Sequence, residues 1–505
     1  MAKSFPLNNV DTAWYHMEDP TNLMMVTSVV LFKEPLEFDT LKTLLSSRLL
    51  KYDRFNMKVV ESRLPVGNPR WEWDSNFDLE AHLQHVALPA PGNKKALQEF
   101  ASHLLSTPLD FSKSPWQVTL VDNYEQGAAV FFRFHHCMAD GIAGVKVLFD
   151  LTDTSPDAPL EREQDRPQSP HKPADNPLTS LFKPAADALN LGRKVAGTVF
   201  QESMEALFNP AQAAEKAQNM AAIAARGATT TGRLLLLPPD PPTPFKGKLG
   251  VQKCAVWTDP VPLATIKQAS RVLGGKINDI LLSAMAGALR RYLIGRSVDV
   301  TDLNLRAAVP VNLRPHARAD ELGNEFGLVI LSLPVGMADP VERMNELKRR
   351  MDAIKGSPEA LITFGILGIL GTSPTQIADQ FMNIMGSKAT AVASNVPGPP
   401  EALYFAGKKL DNIMFWVPQS GRLGLGISIF SYDGKVTLGV ATDKGLVPDP
   451  ENILQGFYDE YEALVALIQQ VQETVYCQAL TKTGRPCKNK AAADSLYCHV
   501  HQPNQ

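Results

Sequence analysis

The chain has few cysteines, no long uncharged apolar run and no excess of charge of one sign. Only five cysteines occur among 505 residues, which excludes the small secreted proteins that are held together by disulfide bonds. No window contains the roughly 18 apolar residues that a membrane-spanning helix needs, and no signal-peptide core follows Met1. Fifty basic residues balance 53 acidic ones, which argues against nucleic acid as a partner. We therefore expect a cytoplasmic globular protein that is able to rest on a membrane surface.

Apolar residues make up 44% of the chain, which is enough material for several large cores. At roughly 150 residues per domain, the length predicts two to four domains. Proline-rich segments at 156–177 and 238–244 indicate exposed connections, because proline lacks the donor that helices and central strands need. We predict an N-terminal domain at 1–154, a proline-rich linker and helical crossover at 155–250, a C-terminal domain at 251–472 and a separate tail at 473–505.

Both predicted domains mix strands and helices. Residues 116–122 and 128–136 alternate in hydrophobicity as strands do, whereas 279–293 carries a helical apolar stripe. Asp433-Gly434 lies between two apolar segments and predicts a tight hairpin, since this pair supplies the positive φ angles that a type I′ turn demands. The fold class that we predict is therefore α/β (α+β).

The segment at 134–141, with the sequence FHHCMADG, carries the most specific chemistry. His135 and His136 end a predicted strand, and the turn after it is a rigid place to hold a proton acceptor. Asp140 is able to fix this turn by pairing with another residue, and Gly141 permits backbone angles that other residues avoid. The competing interpretation is that the histidines are ordinary polar residues at the end of a sheet.

This HHxxxDG pattern resembles the CoA-dependent acyltransferase superfamily, which includes chloramphenicol acetyltransferase-like enzymes and peptide-synthetase condensation domains. Further motifs narrow the resemblance to the bacterial wax ester synthase/diacylglycerol acyltransferase family, in the family's order, over about residues 5–470. They are Asp11-Thr12-Ala13-Trp14 with Glu18 and Met24, Ser114-Pro115-Trp116 (where only the tryptophan matches), Asn278-Asp279, residues 310–315 and 322–325, Ser394-Asn395 and the four residues after it, and residues 431–434.

The resemblance implies two chloramphenicol acetyltransferase-like domains joined by a long crossover, with the active-site histidine in a tunnel between them. It implies transfer of a long-chain acyl group from acyl-CoA to diacylglycerol or a long-chain alcohol, without a catalytic cofactor. His136 would be the general base, His135 a supporting residue, and Asp140 a structural residue paired with Arg314. Because these substrates are lipids, we expect peripheral contact with a membrane or with lipid inclusions.

Several roles stay open on the sequence alone. The oxyanion of the intermediate needs a hydrogen-bond donor, for which Asn278, Ser394 and Asn395 are candidates. Asn278 has the alternative of being only the N-cap of a helix that starts at Asp279. Pro115 and Trp116 are candidates for substrate contact or for packing. A condensation-type enzyme that forms amides and a catalytically idle lipid-droplet protein are the competing functions.

The tail contains Cys477, Cys487, Cys498 and His501 at the spacing Cys-x9-Cys-x10-Cys-x2-His. A segment this short cannot bury a core, so a structural zinc ion would have to supply its folding energy. His499 is an alternative ligand to His501, and an unliganded tail is the alternative to a metal site. A separate apolar segment at 360–370 is too short to span a bilayer. It is either a buried helix or an element that lines the acyl tunnel or enters the membrane interface.

Overall fold

The computed structural model describes most of the chain outside the predicted crossover. The described residues are 4–62, 67–161, 237–314, 322–355, 357, 359–419 and 423–472, and in the tail 479–481, 484–488, 498, 500 and 501. The helices expected at 180–226 and the expected metal ligands Cys477 and His499 lie outside the described residues.

Helices and strands are interspersed through the described residues. The helices are α1 (Asn9–His16), α2 (Phe38–Leu44), α3 (Lys94–Leu105), α4 (Gly141–Asp150), α5 (Leu263–Leu273), α6 (Ile277–Gly295), α7 (Pro340–Lys355), α8 (Glu359–Leu370), α9 (Thr375–Ser387) and α10 (Glu451–Gln472). The strands are β1 (Ser4–Pro6), β2 (Met25–Phe32), β3 (Met57–Val60), β4 (Arg70–Trp73), β5 (Leu83–Ala87), β6 (Trp116–Tyr124), β7 (Gly127–His135), β8 (Lys253–Trp257), β9 (Val261–Pro262), β10 (Leu305–Asn312), β11 (Phe326–Leu333), β12 (Ala391–Pro397), β13 (Tyr404–Phe405), β14 (Lys408–Trp416), β15 (Leu425–Tyr432) and β16 (Lys435–Asp443).

Within the described ranges, the strands form two large sheets and one small sheet. The first large sheet has the order β13-β14-β2-β7-β6-β5, and the second has the order β11-β10-β12-β15-β16-β8 with β9 beside β16. The small sheet has the order β1-β4-β3. The predicted hairpin joins β15 to β16, where Asp433 and Gly434 have φ angles of 46° and 70°. The predicted mixture of strands and helices in both halves is therefore confirmed.

One strand of the first sheet comes from the C-terminal half of the chain. Strand β14 pairs antiparallel with β2, with Trp416 opposite Thr27 and Met414 opposite Val29. Met414 and Trp416 are almost completely buried, as expected for a strand with covered faces. The two halves of the chain are thus interlocked rather than side by side.

The two main hydrophobic cores follow the two large sheets. The first contains Trp14 and Phe131 from the N-terminal half together with Ile366 and Phe430 from the C-terminal half. The second core lies between the second sheet and the helices α6 and α10. Most residues of α6 are buried. The shared first core places residues from both halves around the end of β7.

The apolar segment at 360–370 forms the buried helix α8, which packs against α1 and β11. The Thr363 hydroxyl accepts the backbone N–H of Leu328 at 2.7 Å, so the helix is tied to the edge of the second sheet. Among the described helices, none is by itself long and apolar enough to cross a bilayer, although the bent pairs α5–α6 and α7–α8 reach that length and composition jointly.

Candidate active site

The HHxxxDG motif covers the end of β7, a tight turn and the start of α4. The backbone N–H of His136 donates to Met24 at 2.7 Å, which fixes the first residue after the strand to its neighbour in the sheet. Asp140 is the N-cap of α4, because its Oδ1 accepts the Ala143 backbone N–H at 2.8 Å. The helix begins at Gly141. A strand end and a capped helix therefore hold the turn from both sides.

His136 is enclosed by aromatic rings. Its side chain stacks on Trp14 with ring centroids 4.0 Å apart and planes inclined by 20°, and Phe326 lies at 5.6 Å. Burial lowers the pKa of His136 to about 3, and the neighbouring His135 acts in the same direction. Contacts with Asn324 and with its own backbone oppose this shift only in part. The imidazole is therefore neutral near pH 7 and is able to accept a proton.

His135 has a different environment from that of His136. Its Nδ1 accepts the backbone N–H of Cys137 at 3.2 Å, which places the ring proton on Nε2. This Nε2 lies 3.3 Å from the carboxylate of Glu18, and the same carboxylate accepts the Met24 backbone N–H. His135 thus connects the end of β7 to the segment that follows α1, which agrees with a supporting rather than a reactive position.

Asp140 makes the pair with Arg314 that the sequence analysis expects. Arg314 Nη2 lies 2.8 Å from Asp140 Oδ2, and both side chains are only 3% exposed. The same Oδ2 accepts the backbone N–H of Glu325 at 3.0 Å, and Arg314 also donates to the Gly323 carbonyl at 2.7 Å. The turn of the motif is therefore anchored to the C-terminal half of the chain through a buried ion pair.

A second network of polar side chains holds the main chain of the motif, and one of its members lies in none of the sequence motifs. Arg54 donates to the Met138 carbonyl at 2.7 Å, and its other terminal nitrogen lies 3.0 Å from Asp11. Asn324 Nδ2 donates both to Asp11 Oδ1 at 2.8 Å and to the His136 carbonyl at 2.7 Å. Burial raises the pKa of Asp11, and Arg54 opposes that shift. Asp11 and Asn324 lie in family-like motifs, whereas no motif contains Arg54.

The structure shows the backbone conformation of Gly141 and the environment of Cys137. Gly141 has no positive φ, and a Cβ placed there would meet no atom within 4 Å. The expectation that Gly141 supplies an unusual backbone angle is therefore wrong, because the residue simply forms the first turn of α4. Cys137 is completely buried, and burial raises its thiol pKa, so that it is a poor nucleophile.

The alternative role of Asn278 as the N-cap of a helix is wrong. Helix α6 begins at Ile277 and has Lys276 at its N-cap, so Asn278 is the second helical residue. The carboxylate of Asp279 reaches back to the Lys276 backbone N–H at 2.9 Å and thereby caps the helix start. The Asn278 side chain therefore does not cap the helix.

The other candidate polar residues gather near the start of α6. Asn395 on β12 donates through Nδ2 to Asn278 Oδ1 at 2.7 Å. Ser394 is buried beside it and is the register partner of Ser428 on β15. Within the part of the chain that the structure describes, no side-chain hydrogen bond joins Asn278, Asn395 or Ser394 to the turn that carries His136. Asn278, Ser394 and Asn395 therefore lie close to one another.

Pro115 and Trp116 have packing contacts. Trp116 stacks on His82 with ring centroids 4.3 Å apart, and its Nε1 donates to the Phe55 carbonyl at 2.8 Å. The Pro115 carbonyl accepts the backbone N–H of His135 at 2.9 Å. These contacts support the end of β7 from the neighbouring strand, which favours the packing interpretation.

A small pocket lies between the first sheet and α4. Ala139 of the motif turn lines it together with mostly apolar residues, among them Trp116, Phe132, Phe134, Val147 and Leu148. The surface next to the turn that carries His136 is therefore mostly apolar, as in sites that bind apolar ligands.

The tail has its own cluster of metal-ligand types. One side-chain ligand atom from each of Cys487, Cys498 and His501 lies within 4.8 Å of the others. The cysteines are buried. These residues are able to hold a metal ion, and they are distant in sequence from the motif of the active site.

Comparison with known proteins identifies a family for most of the chain. The profile of the wax ester synthase/diacylglycerol acyltransferase catalytic domain matches residues 7–281, and that of the WS/DGAT C-terminal domain matches residues 322–465. Two proteins of Mycobacterium tuberculosis H37Rv, assigned by name as diacylglycerol O-acyltransferases, are similar over most of their length. One is 27% identical over 91% of this chain and 90% of its own, and the other is 30% identical over 85% of each.

Solved structures have the same fold. The wax ester synthase/diacylglycerol acyltransferase from Marinobacter aquaeolei VT8 matches with a TM-score of 0.65 at 21% identity, over 92% of this chain and 99% of its own. The first condensation domain of the calcium-dependent antibiotic synthetase matches with a TM-score of 0.55 at 13% identity, over 92% and 96%. The predicted α/β (α+β) fold and the predicted family are both confirmed. The chain belongs to the wax ester synthase/diacylglycerol acyltransferase family and is an acyltransferase, of the kind that makes triacylglycerol or wax ester.

Proposed function

We propose that His136 is the general base of acyl transfer from a long-chain acyl-CoA to the hydroxyl of diacylglycerol or of a long-chain alcohol. The observation that carries the proposal is the buried, neutral imidazole at the end of β7, stacked on Trp14 and held through its own main chain. A neutral imidazole in a fixed position is suited to take a proton from a hydroxyl group and to return it later.

The reaction needs no covalent enzyme intermediate. His136 takes the proton of the acceptor hydroxyl while the hydroxyl oxygen attacks the thioester carbonyl carbon. The resulting tetrahedral intermediate carries a negative oxygen. When the carbon–sulfur bond breaks, the imidazolium gives its proton to the departing CoA thiolate, so that the ester and free CoA leave and the neutral base is restored.

The two buried networks position the base for this step. Asn324 and Asp11 hold the His136 carbonyl, whereas Arg54 holds the carbonyl of Met138 in the same turn. The ion pair of Asp140 with Arg314, which belongs to the C-terminal half of the chain, fixes the far end of the turn. Fixing a catalytic group through neighbouring contacts preserves the geometry that proton transfer requires. These residues are positioning residues, and so is His135.

Asn278 is the oxyanion donor that the contacts favour. Its Oδ1 accepts from Asn395, which orients the amide and leaves both hydrogens of Nδ2 to donate. A preoriented amide donor stabilises the developing negative charge of a tetrahedral intermediate. Asn395 then acts by orienting Asn278, Ser394 is the rival donor on the same strand, and Asp279 supports the site by capping α6.

The apolar pocket beside Ala139 is our candidate for one lipid chain, since it adjoins the turn of the base. Pro115 and Trp116 contribute to its wall or to the strand behind it. Because both substrates carry long apolar chains, we also propose that the protein works at the cytoplasmic surface of a membrane or of lipid inclusions, attached peripherally. No bound cofactor takes part in the proposed steps, and the tail cluster has a structural role.

The experiment is an assay of CoA thiol release by the purified protein with palmitoyl-CoA and either hexadecanol or dioleoylglycerol. We expect release that depends on the acceptor, together with the matching wax ester or triacylglycerol in the lipid extract. The release should disappear in His136→Ala and persist in His103→Ala, which changes an exposed histidine on α3. Release that does not depend on either acceptor would contradict the proposed substrates.

A further inference from the structure

We propose that Cys487, Cys498 and His501 bind a zinc ion that organises the C-terminal tail. The site is separate from the acyltransferase reaction, because both matched family profiles end before residue 466. The three ligand atoms converge from two short segments of the tail. Thiolate sulfur and imidazole nitrogen are the ligands of structural zinc sites in proteins.

The distances between the ligand atoms agree with a tetrahedral ion. With Zn–S bonds of roughly 2.3 Å and a Zn–N bond of roughly 2.0 Å, a tetrahedral site separates two sulfurs by about 3.8 Å and a sulfur from a nitrogen by about 3.5 Å. Cys487 Sγ and Cys498 Sγ are 3.9 Å apart, and Cys498 Sγ is 3.3 Å from His501 Nδ1. These two distances match those of a tetrahedral zinc site, and the third pair of ligand atoms also lies within 4.8 Å.

The same distance argues against a disulfide bond. A disulfide requires sulfurs at roughly 2.05 Å, whereas the sulfurs of Cys487 and Cys498 are 3.9 Å apart and form no disulfide with each other. Both side chains are buried, with 7% and 3% of their surface exposed. Two buried thiols and an imidazole facing one point have the arrangement of a ligand set.

Tight turns bring the ligands together. Cys487 donates its backbone N–H to Ala479 at 2.9 Å, and inside this loop Thr481 donates to Arg485 at 2.7 Å. Gly484 closes the loop with a φ of 75°, which other residues adopt at a cost. On the other side, the backbone N–H of His501 donates to Cys498 at 2.8 Å, so that the last two ligands lie on a single turn.

The described tail residues have no apolar core that explains this order. Ala479 packs against the two cysteines, whereas Leu480 and Val500 are 63% and 76% exposed. Small domains that lack a sufficient core are commonly stabilised by a metal ion. The zinc ion takes the place of a core here. The fourth position remains the sequence prediction of Cys477, which lies outside the described residues.

The test is the zinc content of the tag-free full-length protein, purified without chelator, measured by plasma mass spectrometry. We expect about one zinc ion per chain, and at least an about tenfold lower content in Cys487→Ser and in Cys498→Ser. Cys254→Ser is the matched control, because Cys254 is a half-buried cysteine on β8, and it should retain the zinc. Acyltransferase activity is measured in parallel, and the zinc result stands whatever that activity is.

Cobalt replacement keeps the test decisive if a cysteine variant does not fold. After exchange of zinc for Co²⁺ in the wild-type protein, we expect the intense visible bands of a tetrahedral ion and the ultraviolet charge-transfer bands of thiolate ligands. Three outcomes would overturn the proposal: wild-type protein without zinc, full zinc content in both ligand variants, or an intact mass that shows a Cys487–Cys498 disulfide.

Discussion

At the scale of single residues, the site consists of one uncharged base and several buried charges that hold it. His136 contacts rings and backbone, whereas the partly buried Arg54 pairs with the buried Asp11, and the buried Asp140 pairs with the buried Arg314. A buried charge is tolerated when a partner satisfies it, and removal of that partner is costly. The two ion pairs therefore stabilise the turn, and the base itself stays neutral.

The low pKa of His136 predicts an unusual pH dependence. Because burial keeps the imidazole neutral down to about pH 3 in the free enzyme, kcat/KM should show no loss from protonation of this group between pH 8 and pH 5. An unperturbed histidine would give a decline centred near pH 6.5. The measurement is kcat/KM for acyl-CoA from pH 5 to pH 9 in buffers of constant ionic strength. A midpoint near the ordinary histidine pKa would contradict the proposed environment.

The ion pair of the motif gives a prediction about stability. Asp140→Asn keeps an oxygen that caps α4 but leaves the buried Arg314 charge uncompensated, and we expect a loss of about 3–5 kcal/mol in the free energy of unfolding. Denaturant titration with a circular dichroism readout measures it. The control is Asp352→Asn, which removes an exposed pair with Lys355 and should cost less than about 1 kcal/mol. Equal losses in both variants would argue against the buried pair as an anchor.

The sequence predicts part of the site and misses part of it for identifiable reasons. The motif itself is found from the pattern of residues, whereas the Asp140–Arg314 contact is found only through the family resemblance. Arg54 is missed because it binds a backbone carbonyl of the motif turn and a carboxylate on α1, and nothing local in the sequence connects it to either. The alternative that Asn278 is an N-cap is wrong because neighbouring polar residues near a helix start compete for capping. Here the carboxylate of Asp279 accepts the capping hydrogen bond.

At the scale of elements, the helices α1 and α8 connect the C-terminal half to the base. Helix α1 supplies Asp11 and Trp14 to the site, and α8 packs against it. The contact is so close that a Cβ on Gly371, immediately after α8, would lie 1.7 Å from the Asn9 carbonyl oxygen. The position of Trp14 over the imidazole therefore depends on a helix that lies more than 340 residues later in the chain.

This contact can be tested with a pair of glycine variants. Gly371→Ala should force α8 away from α1, cost about 1–3 kcal/mol of stability and lower kcat, since Trp14 would move from His136. Gly368→Ala is the matched control on the same helix, because a Cβ there meets no atom within 4 Å, and alanine is preferred to glycine inside a helix by up to about 1 kcal/mol. Thermal unfolding and CoA release measure both effects. Equal behaviour of the two variants would show that the helices have room to adjust.

Elements with a strong local signal are predicted correctly, whereas their partners are not. The hairpin of β15 and β16 follows from the Asp433-Gly434 pair, and β7 follows from its alternation. Nothing local shows that β14 joins the first sheet beside β2, because hydrophobic alternation indicates a strand and not its neighbour. The pairing depends on the packing of the entire chain.

At the scale of the whole molecule, the active site is a joint product of both halves. The N-terminal half supplies the base and Trp14, and the C-terminal half supplies Asn324, Phe326 and Arg314 around it. Strand β14 comes from the C-terminal half and pairs with β2 in the first sheet, and this pairing holds the two halves together. The zinc-binding tail that we propose lies outside this arrangement, so loss of the metal should leave the acyl transfer site intact.

The most direct test of the account is the turnover number of His136→Ala with the preferred acceptor, compared with wild type and His103→Ala. Loss of a general base typically lowers the rate by about 10²–10⁴-fold, and we expect a decrease in that range with an unchanged circular dichroism spectrum and unchanged activity in His103→Ala. If folded His136→Ala kept a rate within about tenfold of wild type, His136 would not be the base, and the proposed mechanism would be wrong.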